Sequence, residues 1–167
     1  MLSDNIRIRR PRLDDVAGIV RAHSEAIRAK AAAHYSAEQI ASWTRANSVE
    51  TLEERLERER KTLAEGKVIA FVAELNGNII GFSMLVPDKN ELRAVYVAPG
   101  EWRGVGGLLL ERIEEEARKL KVSYLECDAS LNAENFYLKH DYEVVERTVH
   151  VLHDGSEVAC VKMRKQL

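Results

Sequence analysis

The most constraining stretch of this chain is Trp102-Arg103-Gly104-Val105-Gly106-Gly107, which stands between segments of opposite periodicity. Upstream, Glu91–Val97 (ELRAVYV) is rich in β-branched and aromatic residues, the composition of a strand. Downstream, Leu109, Leu110, Ile113, Ala117 and Leu120 recur on one face of a helix expected from Leu108 to about Leu120. A glycine-rich passage from strand to helix lets the backbone curl, and it leaves the first N–H groups of the helix unpaired at the positive end of the dipole. That arrangement suits an anion, a pyrophosphate above all, and Arg103 adds a charge beside it. Read alone, the glycines fit a purely structural turn equally well. No Lys-Ser/Thr follows them as in a Walker A loop, and the sixth position from Gly104 is Leu109, not the Gly of the dinucleotide fingerprint.

The surrounding pattern narrows the fold. Ile6–Arg9 alternates apolar and basic residues as a short strand, and Asp14 and Asp15 open a helix carrying Val16, Ile19, Val20 and Ile27. A second helix follows Ser36, with Gln39 three residues on as in a capping box. A third, from about Val49 to Ala64, keeps only Leu52, Leu56 and Leu63 at helical spacing, so its charge run is expected to be a solvated face with i,i+4 pairs. Lys67–Leu75 and Asn78–Val86 flank Asn76-Gly77, a strong hairpin signal. Lys121–Ala129 reads as a strand, Asn132–His140 as a short helix, and the chain from Tyr142 onward as a closing pair of strands. The expected order is β-α-α-α-β-β-β-α-β-α-β-β. The βαβ unit around the glycine turn and the hairpins elsewhere make an α/β protein with a mixed sheet. Those hairpins also speak against a Rossmann-like nucleotide domain.

No repeat or linker composition interrupts residues 1–167, so one domain is expected. A net charge of -2 gives no global attraction for nucleic acid or anionic membrane. Met1-Leu2-Ser3-Asp4-Asn5 has no signal-peptide character, and no segment has the apolar length of a membrane span, so a cytoplasmic location is expected. Cys127 and Cys160 lie in apolar stretches and are expected to be buried thiols. His23, His34, His140, His150 and His153 show no metal-ligand spacing, and no metal site is expected.

Between Glu91 and Tyr142 the chain resembles the GCN5-related N-acetyltransferase (GNAT) superfamily, and the likeness in element order covers most of the sequence. The resemblance implies a mostly antiparallel sheet with one splayed parallel pair, and acetyl-CoA as cofactor. Family members carry Q/R-x-x-G-x-G/A after the fourth strand. Aligned on Gly104-Val105-Gly106, the motif begins here at Glu101, in a loop one residue shorter than usual, with Arg103 as the nearby basic group. By the same likeness Gly104, Val105, Gly106 and Gly107 hold the CoA pyrophosphate, and the backbone of Val95, Tyr96 and Val97 pairs with the pantetheine. Ala133-Glu-Asn-Phe-Tyr matches A-x-x-F/L-Y, making Tyr137 the general acid near the CoA sulfur. The family's cofactor-touching Asn falls on Ser130, while Asn132 lies just before the Ala; either can take that role.

Acetyl transfer to nitrogen requires a proton taken from the amine and one returned to the leaving thiolate. Glu91 begins the fourth strand, where the histone acetyltransferase branch carries a base glutamate acting directly or through water; read alone, it is equally a surface carboxylate. His34-Tyr35-Ser36 through Trp43 resembles the Y-S-x-E-Q-I-x-x-W stretch of the YafP-like subgroup. It makes His34, Tyr35 and Trp43 acceptor-pocket candidates, with helix packing as the other reading. The resemblance implies transfer to a primary amine, on a small molecule or a peptide, in a ternary complex, and a homodimer is common in the fold. The alternative is an acyl-CoA-binding or regulatory module that has lost turnover, motivated by Glu101 and the short loop.

Overall fold

A computed structural model describes residues 5–167; Met1–Asp4, on which part of the leader argument rests, lie outside the described residues. Strand β1 (Ile6–Arg9) pairs antiparallel with β2 (Ile69–Leu75), and β2 with β3 (Asn78–Val86). The β2–β3 turn takes the left-handed conformation at both Asn76 (φ 50) and Gly77 (φ 81), as the two-residue hairpin requires. Strand β4 (Glu91–Val97) follows a single 3-10 turn at Pro87–Lys89.

Three helices intervene between β1 and β2: α1 (Val16–Lys30), α2 (Ala37–Trp43) and α3 (Leu52–Ala64). The Ser36 capping box is present as expected. A second one holds α3, where Glu54 N–H donates to Thr51 Oγ1 (3.2 Å) and Thr51 N–H to Glu54 Oε2 (2.8 Å). That cap moves the start of α3 from about Val49 to Leu52. The entry to α1 is pinned by Arg9, which donates to Asp15 (2.7 Å) and to Glu74 (2.6 Å) and so ties β1, β2 and the helix start together.

Helix α4 (Val105–Lys119) begins three residues earlier than the apolar stripe suggests, because Gly106 and Gly107 form its first turn. It ends on Lys121 in the left-handed region (φ 60), with Val122 N–H returning to Ala117 O (3.0 Å) and Lys121 N–H to Arg118 O (2.9 Å). This Schellman closure delays β5 to Tyr124–Ser130, rather than Lys121. The helix expected over Asn132–His140 is a 3-10 turn (Leu131–Ala133) running into α5 (Glu134–Leu138). Strands β6 (Glu143–Val151) and β7 (Glu157–Gln166) complete the expected order.

The seven strands form one sheet in the order β1-β2-β3-β4-β5-β7-β6, antiparallel except for β4–β5. The hairpin folds back so that β7, not β6, lies beside β5. Helix α4 packs on one face, over a core of Phe71, Leu85, Leu92, Leu109, Ile113 and Met163. Helix α1 covers the other, through Ile19 and Ala22 against Val72, Phe82 and Ala94.

The parallel pair meets only at Glu91–Glu126. The cause lies in β4: its register with β3 jumps from Met84–Ala94 to Leu85–Leu92, leaving Arg93 as a bulge residue. A bulge bends and twists its strand, so β4 leaves β5 immediately after the single bridge. Leu92 then faces α4 and Ala94 faces α1, although they are two residues apart. The mixed α/β fold and splayed parallel pair expected from sequence are present.

Candidate active site

Two cavities open where β4 and β5 part. One, of about 460 Å³, lies over the start of α4; the other, of about 670 Å³, lies on the α1–α2–α3 side. Trp43, Tyr96 and Ser130 line both and form the wall they share.

The smaller cavity gathers Val95, Tyr96 and Val97 from β4 with Gly104, Gly106 and Gly107 from the turn, and Ser130 and Asn132 from the end of β5. Gly104 caps α4 in the left-handed region (φ 85), which aims the succeeding N–H groups out of the helix end. A Cβ on Gly106 would lie 3.2 Å from Phe136 Cε2, and one on Gly107 would lie 3.1 Å from His140 Nε2, so bare backbone faces α5 at this point. Val105 is fully buried in the core and does not line this cavity. Arg103 is exposed, and its side chain is not part of the cavity wall.

Several contacts here are invisible in the sequence. Lys30 Nζ donates to Val97 O (2.8 Å), and Trp102 Nε1 donates to Ala98 O (2.8 Å), fixing the loop before the turn. Phe136 and His140 supply the α5 wall, with His140 Nδ1 donating to Phe136 O (2.8 Å). Of these, only Phe136 stands at a motif position, the F/L of A-x-x-F/L-Y, and nothing in the motif shows that it lines a cavity.

Glu91, Tyr35 and Trp43 line the larger cavity, while His34 is exposed and lines neither. The Tyr35 hydroxyl donates to Ala159 O (2.6 Å) and accepts from Leu131 N–H (2.9 Å), clamping the α1–α2 connection to β7 and to the turn after β5. Its ring stands edge-on to Trp43 at 5.3 Å and is what faces the cavity. Glu91 accepts from the bulged Arg93 at both oxygens (3.0 and 3.2 Å). Beside it, Asp128 Oδ2 and His150 Nδ1 lie 3.1 Å apart on the same cavity wall, a pair 22 positions apart in sequence. Arg45, Arg55 and Glu59 from the α2–α3 region also reach this wall, so part of the charge run faces a cavity and not bulk water.

Tyr137 is 6% exposed, packed on Phe136 and Tyr142 at ring distances of 5.1 and 5.3 Å. It lines neither cavity; burial, with Cys127 and Tyr96 nearby, holds its phenol well above the usual range. Burial also pushes the Tyr96 phenol up to about 12 and the Cys127 thiol up to about 12. Both cysteines are buried and free, and neither is an activated nucleophile.

His23 shows the opposite effect. Burial first, then Arg55 and Arg45, lower its pKa to about 3, so the imidazole beside Tyr96 is neutral at physiological pH. The unfolded histidine takes up its proton near 6.5 and the folded one only near 3. Between those values the unfolded state binds more protons, and stability falls as the pH drops. The slope from one such group is at most about 1.4 kcal/mol per pH unit. His23→Gln removes the titration and is expected to flatten the acid limb over that window. Urea melts at several pH values from neutral to about 4 measure it, and parallel limbs in both proteins would exclude His23 as the source.

Among the described residues no helix is long and apolar enough to cross a membrane, and no cluster of three or more His, Cys, Asp or Glu could hold a metal ion. No curated protein matches the chain. Among solved structures, a GCN5-related N-acetyltransferase from Rhodopseudomonas palustris is 27% identical, with a TM-score of 0.84 over 100% of this chain and 99% of that one. The PaiA N-acetyltransferase of Thermoplasma acidophilum, solved in complex with coenzyme A, is 24% identical (TM-score 0.75; 98% and 99% covered). The yncA protein of Salmonella typhimurium, solved with its cofactor acetyl-CoA, is 21% identical (TM-score 0.66; 98% and 95% covered) and shares the fold. The sequence profile described as the acetyltransferase (GNAT) domain matches residues 31–167, most of the chain. The chain therefore belongs to the GNAT acetyltransferase family.

Proposed function

We propose that residues 1–167 act as one N-acetyltransferase domain that transfers the acetyl group of acetyl-CoA directly to a primary amine. The observation that carries this reading is the pair of cavities sharing the wall of Trp43, Tyr96 and Ser130: a donor and an acceptor can meet there without a covalent enzyme intermediate. Bare glycine backbone at a helix N-terminus and an apolar β4 edge fit a pyrophosphate joined to a long thin arm. When bound, the thioester supplies an activated acyl carbon and a thiolate leaving group.

The chain's own groups bind, orient and move protons. Gly104, Val105, Gly106 and Gly107 present N–H donors to the pyrophosphate, with Arg103 adding charge. Val95, Tyr96 and Val97 pair with the arm, and Ser130 and Asn132 hold its far side. Tyr137, kept protonated by burial, returns a proton to the sulfur. Glu91, directly or through water, takes the amine proton once the Arg93 fork opens. Tyr35 and Trp43 shape the acceptor cavity, His34 lies at its approaches, and the Y-S-x-E-Q-I-x-x-W stretch carries a YafP-like placement. A cytoplasmic, homodimeric enzyme is the form we propose.

Acetyl-CoA at about 100 times its dissociation constant should stabilise the fold by about 2.7 kcal/mol. For a chain of this size that corresponds to a rise of about 5–10 °C in melting temperature. Amines should then release CoA thiol. No shift with millimolar acetyl-CoA would count against the reading, and a shift without thiol release across a broad amine panel would make the protein a binding module.

A further inference from the structure

The α3 wall of the acceptor cavity carries an arginine that forms no ion pair among the described residues, with Glu59 as the strongest carboxylate influence. Arg55, on α3, lines the cavity; its Nη1 donates to Thr44 O (2.9 Å), and its Nη2 lies 3.5 Å from His23 Nδ1. Its Nε is buried with no hydrogen-bond partner. Among the described residues no carboxylate lies within ion-pair distance of it.

The neighbouring acids are already engaged. Glu50 accepts from Arg58 at 2.9 and 3.2 Å and lies 3.5 Å from Arg45, while Glu59 pairs with Arg58 at 2.7 Å. Arg45, Arg55 and Arg58 thus face only Glu50 and Glu59, which leaves one positive charge uncompensated. His23 adds no charge, since it is neutral. A half-buried guanidinium with an orphaned donor costs stability unless an acceptor completes it, and an anionic acceptor also offsets the excess charge.

Its position relative to the chemistry is the second observation. The His23 ring stands 4.7 Å from Tyr96, in the wall shared by the two cavities, and His23 Nδ1 faces Arg55. The cavity therefore runs from the transfer point at Tyr96, past a neutral imidazole, to the guanidinium.

We infer that Arg55, supported by Arg45, is the subsite for a carboxylate carried by the amine acceptor, several bonds from the amino group that is acetylated. This rests on the acetyltransferase reading for the role of the amine, but not for the binding of the carboxylate. A planar two-oxygen anion matches the guanidinium fork. A polyamine, cationic at both ends, is repelled by the same group.

The test uses a series of ω-amino acids from β-alanine to 6-aminohexanoate, each with its neutral primary amide, together with spermidine. Binding is read by calorimetric titration into CoA-saturated protein and into protein alone, and turnover by CoA thiol release. At least one acid should bind, and show kcat/KM, about tenfold or more above its amide, the range of a charge-assisted contact. Arg55→Gln should bring the acid-to-amide ratio to about one. Arg55→Lys, which keeps the charge without the fork, should retain part of it and serves if loss of the Thr44 bond unfolds the Gln variant. Acids and amides that bind equally to the wild-type protein, or spermidine preferred over every acid, would overturn the assignment. Absence of any CoA-induced stabilisation would strike the acetyltransferase reading alone, because the titration without cofactor still decides the carboxylate site.

Discussion

Tyr137→Phe is expected to lower kcat by about a hundredfold or more, the low end of what a positioned general acid contributes, while the acetyl-CoA dissociation constant stays within about threefold. The substitution removes one oxygen and keeps the ring, so the contacts with Phe136 and Tyr142 persist and the fold survives. Burial holds this phenol well above its usual range, so it carries its proton at neutral pH, the form a general acid needs. Phe136, its chain neighbour, lines the smaller cavity, and Tyr96 of the shared wall is close enough to perturb its ionisation. Steady-state thiol release and equilibrium titration with acetyl-CoA separate the two parameters. An unchanged kcat would remove Tyr137 from the acid role and leave it a packed aromatic of α5.

Gly104→Val should act on the other parameter, weakening acetyl-CoA binding by about tenfold to a hundredfold. Gly104 holds φ 85 at the cap of α4. An L-residue there costs about 1–2 kcal/mol, and a β-branched one more; each 1.4 kcal/mol is a factor of ten in affinity. The chain relieves that strain by moving the cap, which turns the N–H groups of the first helical turn away from the cavity. Core residues behind it, Leu109 and Ile113, anchor the rest of α4, so circular dichroism should remain that of the parent. The measurement is the acetyl-CoA-induced rise in melting temperature, expected to shrink or vanish. A full-sized rise would show that this turn is not where the pyrophosphate sits.

Much of this fold was legible because its signals are short-range. Ser36 and Gln39 announce a helix start three residues apart, and Asn76-Gly77 announces a hairpin in two. The Thr51–Glu54 box has the same form but introduces only a thin apolar stripe, so the sequence alone does not single it out as the helix start. The start of α4 lies ahead of its apolar stripe for a related reason: Gly106 and Gly107 are poor helix formers alone, and only the fold shows the close approach of Phe136 and His140 that leaves little room for a Cβ there. The glycine turn itself could be located, but not its contacts. Arg103, one residue from the cap, is exposed and does not line the wall, whereas Lys30 and His140 reach it from other elements.

Local pattern, then, determined the elements, their order, the glycine turn at the head of α4 and the family resemblance, because caps, turns and periodicity act over a few residues. Tertiary structure alone decided that β7 lies between β5 and β6, and that a bulge at Arg93 drives β4 from β5. It also decided that the resulting gap is shared by two cavities, and that Arg55 stands in the acceptor one without a carboxylate partner. Those features depend on which surfaces meet across the sheet and on which charges are neutralised once they do. No window of sequence contains both sides of such a contact.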